Sequence, residues 1–112
     1  MIELTPLARP YAKALFASAL ESGNLENMAD ELKIMAIASE SKEVIGTIEN
    51  PVLSRQEVVD ILVNLFADSI TDTSKKLLSI LADNKRLNLL HSIYSIYQEL
   101  LEKHKDQNSI EV

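Results

Sequence analysis

The stretch Ala8-Arg9-Pro10-Tyr11-Ala12-Lys13-Ala14-Leu15-Phe16 decides how this chain is read. Wound as a helix at about 100° per residue, it places Ala8, Ala12, Leu15 and Phe16, continued by Ala19 and Leu20, on one broad apolar face. Leu7, Tyr11, Ala14 and Ser18 fall on a second stripe. Arg9 and Lys13 lie near one edge of the first face, and Glu21 lies beside the second stripe. A helix that only covers a core needs one apolar face. A second stripe, of small residues around a single tyrosine, suits a groove that receives another helix.

Working outward, Thr5-Pro6 reads as an N-cap followed by proline at the first helical position. Pro10 removes one intrahelical bond, so a loose or kinked first turn is expected, with regular helix over about residues 10–22. Gly23-Asn24 ends it, glycine supplying the positive φ of a C-cap. Leu25, Met28, Ala29, Leu32, Met35 and Ala36 recur at three- and four-residue steps and predict a second helix over about 25–40. Ser41 with Val44, Ile45 and Ile48 predicts a short third, stopped by Asn50-Pro51. Ser54-Arg55-Gln56-Glu57 is a capping box that opens a fourth helix with Val58, Ile61, Leu62, Leu65 and Phe66 inward. After a polar connection around Ile70, a fifth helix is predicted over about 73–84, with Leu77, Leu78, Leu81 and Ala82 inward and Ile80 on the flank with Thr73 and Asn84. Leu90, Ile93, Tyr97, Leu100, Leu101 and His104 mark a long sixth helix that fades after Lys105. Ser109 to Val112 alternates like a strand but is too short to fold alone. Six helices with short links predict an all-α antiparallel bundle.

Composition narrows the function. A chain of 112 residues is one domain by size. It has no cysteine, so neither a disulfide framework nor a thiolate metal site is available. A formal charge of −6 with no basic stripe argues against nucleic acid as a partner. No apolar run approaches the ~20 residues that span a bilayer, so no direct membrane insertion is expected. The amino terminus is neither a signal peptide nor an Arg-rich transit peptide, the pattern of a cytosolic bacterial protein. His91 and His104, thirteen residues apart on one helix, stand about 20 Å from each other and cannot share a metal. The carboxylates, Asp30, Glu31 and Glu43 among them, read as solvated helix-surface charge. The glycines, Gly23 and Gly46, form no phosphate loop. No catalytic residue, cofactor site or metal site is therefore expected.

The candidate binding residues are Tyr11, Ala14 and Ser18 on the first helix and Leu77, Ile80 and Asn84 on the fifth. Small side chains at 14 and 18 would let a guest backbone approach, and Tyr11 would be a rigid anchor with a polar tip. Periodicity alone leaves two readings equally open. Tyr11 and Ile80 line a groove, or Tyr11 covers the open end of the bundle while Ile80 packs on the sixth helix. Asn84 reads more simply as a C-cap, and Arg86 as a residue serving the carbonyls at the end of the fifth helix.

Two motifs carry a resemblance. Ala8 to Phe16 is similar to the amino-terminal signature of the delta subunit of bacterial F-type ATP synthase, the relative of the mitochondrial oligomycin-sensitivity-conferring protein. Leu81-Ala82-Asp83-Asn84-Lys85-Arg86-Leu87 resembles a second segment of that family, at the family's spacing. The resemblance runs from about Leu7 to about Leu101, with the middle carried by pattern more than identity. It implies a helical amino-terminal domain over 1–105 and, over 106–112, a linker or the start of a further carboxy-terminal domain.

The resemblance implies a non-catalytic stator component on the cytoplasmic side of the bacterial inner membrane. Its first and fifth helices would receive the amino-terminal helix of an alpha subunit, and the further domain would meet b-type stator subunits. Tyr11 falls on the family's tyrosine, Ile80 on an aliphatic position, and Arg9 and Arg86 on recurrent positions. Lys85 stands where many relatives have glycine, a departure that suggests a more conventional turn. The alternative is a free-standing helical adaptor domain; an antitermination-type RNA binder is opposed by the acidic balance.

Overall fold

A computed structural model describes residues 4–109. Six α-helices follow one another: α1 (Thr5–Ser22), α2 (Leu25–Ala38), α3 (Lys42–Glu49), α4 (Arg55–Phe66), α5 (Asp72–Asp83) and α6 (Leu90–Ser109). One-turn 3₁₀ segments, Ala67–Ser69 and Leu87–Leu89, precede α5 and α6. Among the described residues there is no strand, and the fold is the expected all-α bundle. The strand-like alternation at the carboxy terminus lies largely outside the described residues. No helix described is long and apolar enough to cross a membrane.

The helices start and stop for local reasons. Gly23 takes φ 73° with no atom within 4 Å of where a Cβ would sit. Asn24 N–H donates to the Ala19 carbonyl at 3.0 Å and Gly23 N–H to that of Leu20 at 3.3 Å, which closes the end of α1 as a Schellman motif. Ser41 Oγ accepts from Val44 N–H at 3.2 Å and opens α3. In the capping box of α4, Ser54 N–H donates to Glu57 Oε1 at 2.8 Å and Glu57 N–H to Ser54 Oγ at 3.1 Å.

Several boundaries differ from expectation. α1 starts at Thr5 with Leu4 as N-cap, and Pro10 sits inside it. The Leu4 carbonyl accepts from Ala8 N–H at 3.0 Å, so the helix is already established one turn before Pro10, whose ring forfeits a single bond near the amino-terminal end. α2 ends at Ala38, where a Ser39 hydroxyl bond to the Ala36 carbonyl (2.7 Å) starts the turn. α6 runs past Lys105 to Ser109.

α6 packs against both α1 and α2, and these three helices make one layer. α4 pairs with α5, and α3 leans on α4. One core cluster runs through both groups, from Ala8, Ala12 and Leu15 through Leu32 and Met35 to Leu62, Leu78, Leu81, Ile93 and Tyr97. The extents are 57 × 35 × 21 Å and the radius of gyration is 14.6 Å, against roughly 13 Å for a compact domain of this size. The chain is thus more extended than a closed bundle of this length, with α4 and α5 packed chiefly on each other.

Several apolar residues expected inside are left exposed. On α4, Val58, Val59, Leu62 and Phe66 are inside, while Ile61 and Leu65, expected there, are exposed. The buried arc is turned toward Val59, and the main neighbours of α4 are α5, α3 and the 3₁₀ turn Ala67–Ser69. Leu20 is also exposed, since it lies about 110° around α1 from the centre of the buried arc of Ala8, Ala12, Leu15 and Ala19.

Candidate functional site

The second stripe of α1 is left uncovered by the fold. Leu7 is 40% exposed, Tyr11 is half-buried at the edge of the core, and Ala14 and Ser18 are exposed. On α5, Ile80 is 49% exposed and Asn84 faces solvent. Leu77 lies differently. It is 5% exposed and belongs to the core, so it can back a docking face from beneath and offers a guest almost no surface. Ile80, half exposed, is not buried against the sixth helix.

One contact joins the two flanks. Asn84 Nδ2 donates to the Tyr11 hydroxyl at 3.2 Å. Asn84 is at the same time the C-cap of α5, its N–H bonding the Ile80 carbonyl at 3.1 Å. The turn beyond it differs from expectation. Lys85 takes φ 58°, the left-handed conformation that glycine adopts without strain. Arg86 N–H reaches the Leu81 carbonyl at 2.7 Å and Lys85 N–H the Ala82 carbonyl at 3.1 Å, a full Schellman closure. The unconventional turn is thus kept with a lysine in it, because the helix-end carbonyls need those two donors. Arg86 serves the helix end through its backbone. Among the described residues neither Arg9 nor Arg86 enters an ion pair.

The histidines have ordinary roles. His91 pairs with Glu40 at 3.3 Å on the surface, and His104 sets its ring edge-on against Phe16, centroids 5.8 Å apart. Among the described residues no group of three or more His, Asp or Glu is placed to hold a metal. Tyr97 is fully buried; its hydroxyl donates to the Leu25 carbonyl at 2.8 Å, and burial, with the Glu26 carboxylate adding to it, pushes its pKa up to about 12. The hydrogen bond from Lys105 to Glu26, at 2.8 Å, and the charge behind it hold the lysine above its usual pKa.

Glu31 is the residue that sequence reading misplaced. It is 3% exposed, not solvated. Its Oε1 accepts from Thr71 N–H (2.8 Å), Thr71 Oγ1 (3.0 Å) and Ser74 Oγ (2.6 Å), and its Oε2 from Asn27 Nδ2 (2.8 Å). The one available signal was register: Glu31 precedes Met35 by four residues and follows Met28 by three, on the flank of the apolar arc.

With an all-α bundle, a capped α5 and an exposed α1 stripe in view, comparison with known proteins is decisive. The family described as ATP synthase delta (OSCP) subunit matches residues 7–112. The chain belongs to that family. Among curated relatives named ATP synthase subunit delta, that of Thioalkalivibrio sulfidiphilus is 38% identical over 88% of this chain and 55% of its own length. That of Acinetobacter baylyi is 35% identical over the whole chain and 62% of its own length. That of Idiomarina loihiensis is 32% identical, again over the whole chain and 63% of its own length. This delta-family chain thus spans less than two thirds of the relatives it matches.

Proposed function

We propose that this domain is the head-facing part of a peripheral stalk in an F-type ATP synthase, with no catalytic step of its own. In this reading it holds the non-rotating head by taking the amino-terminal helix of an alpha subunit onto the face between α1 and α5. The observation that carries the reading is the exposed stripe of Leu7, Ala14 and Ser18 around half-buried Tyr11, with exposed Ile80 on the helix whose Asn84 meets that tyrosine, in a member of the delta family. A helix laid there buries Leu7 and Ile80, sets its backbone over Ala14 and Ser18, and meets Tyr11 already braced by Asn84. A stator contact must resist torque, so buried apolar area and slow release matter more than rapid capture.

The assembly would sit peripherally on the cytoplasmic side of the bacterial membrane. Contact with b-type stator subunits would belong to a further carboxy-terminal domain of the whole protein, as in the two-domain arrangement expected above.

The test is a calorimetric titration with a synthetic peptide copying the first twenty or so residues of the same organism's alpha subunit. Submicromolar-to-micromolar binding, weakened at least tenfold by Tyr11→Ala and by Ile80→Ala, is expected. Tight binding indifferent to both substitutions would move the site elsewhere. No binding at high micromolar peptide would favour the adaptor reading.

A further inference from the structure

The α5 helix is tied to the three-helix layer by side chains at both of its ends. At its carboxy-terminal end Asn84 meets Tyr11 of α1. At its amino-terminal end, about 18 Å away for a helix of 12 residues, Glu31 of α2 takes the donors of Thr71 and Ser74. Thr71 is the N-cap of α5, yet its side chain makes no cap within its own helix; its hydroxyl is given to Glu31 instead. The carboxylate therefore takes, from another helix, the N-cap N–H that the N3 glutamate of a capping box takes locally. It is buried and hydrogen-bonds only neutral donors, and those gathered on Oε1, together with the positive end of the α5 dipole, offset the cost of burying it.

We infer that Glu31 is a positioning residue for the α1–α5 docking face. Its carboxylate fixes the amino-terminal end of α5 to α2, and this bond, with Tyr11–Asn84 at the other end, sets where Ile80 stands relative to α1. The binding part of this inference rests on the docking reading above; the anchoring part does not. Cutting the Glu31 tie lets α5 pivot on its Asn84 end, so affinity falls although Glu31 is placed outside the proposed contact.

The experiment has two arms on the same proteins, wild type, Glu31→Ala, Glu31→Gln and Ser74→Ala. Amide hydrogen exchange reads α5 against α6. Glu31→Ala is expected to speed exchange at least tenfold across residues 71–84 while leaving α6 unchanged. Glu31→Gln, which keeps the length and an acceptor oxygen, should restore most of the protection. Ser74→Ala, which removes one donor, should fall between. Calorimetry with the alpha-subunit peptide then compares Glu31→Ala, Ile80→Ala and the double variant. A weakening of at least fivefold for Glu31→Ala that shrinks to less than twofold once Ile80 is gone marks coupling through α5; a merely structural defect would add in full. Unchanged exchange in α5 for a folded Glu31→Ala overturns the anchoring. Local exchange loss with unchanged affinity, or with a fully additive double variant, overturns the positioning role. If Glu31→Ala does not fold, Ser74→Ala against wild type decides by the same criteria. If wild type fails to bind the peptide, the docking reading falls, and the exchange arm alone decides whether Glu31 holds α5.

Discussion

Tyr11 and Asn84, 73 residues apart in the chain, meet through one hydrogen bond of 3.2 Å from the asparagine amide to the phenolic oxygen. Both groups are open to water at their outer sides, so the bond adds direction more than stability. Tyr11→Phe is expected to cost less than about 1 kcal/mol in urea unfolding, as for a solvent-exposed bond. A loss above about 2 kcal/mol would mean that this bond, and not the core beneath it, holds α5 to α1.

Ile80 and Leu77 sit three residues apart with opposite duties. Ile80 is half exposed, so Ile80→Ala should change stability by no more than about 0.5 kcal/mol. Leu77 is buried, so Leu77→Ala should cost about 2–5 kcal/mol. Unfolding curves of the two variants check the assignment of one to the surface and the other to the core, independently of any partner.

Lys85 and Gly23 occupy equivalent left-handed positions after α5 and α1. Lys85→Gly should relieve backbone strain and stabilise the fold by roughly 0.5–1 kcal/mol, after the extra freedom of glycine in the unfolded chain is subtracted. Gly23→Ala should destabilise by about 1 kcal/mol, although no neighbour obstructs the added methyl, because the cost is in φ alone. Equal and opposite shifts in melting temperature would express this; a stabilising Gly23→Ala would contradict it.

Tyr97 makes stability fall at high pH. Its folded pKa of about 12 lies above the ordinary 10.0, so the folded state keeps a proton that the unfolded state releases. The contribution is complete below pH 10 and is lost as pH rises toward 12, to the order of 2 kcal/mol. Tyr97→Phe should flatten that part of the pH–stability profile while lowering stability at neutral pH, where the Leu25 carbonyl loses its side-chain donor.

The parts of the fold legible in the sequence are those governed by neighbours a few residues away. Gly23 and the Ser54–Glu57 box cap helices as read, and Ser41, read only as part of the third helix, is its N-cap. The buried arcs of α1 and α5 also follow their spacing, apart from Leu20. Spacing failed on α4, where Ile61 and Leu65 face out. It failed again at Glu31, where residue type suggested water. In both places the burial depends on which neighbour covers the helix, and that neighbour comes from another part of the chain.

By itself, the sequence determined six helices, their approximate ends, and a first helix with more apolar surface than a core requires. Those outcomes follow from backbone hydrogen bonds, φ preferences and periodicity, all of short range. The tertiary structure alone decided that α5 is held at both ends, by Glu31 across 40 to 43 residues and by Tyr11 across 73. It alone decided that Leu77 is core while Ile80 is surface. The reason is geometric. Periodicity says which residues share a side of a helix, whereas the rotation of that helix about its axis, and what stands against it, are set only when the distant segments pack.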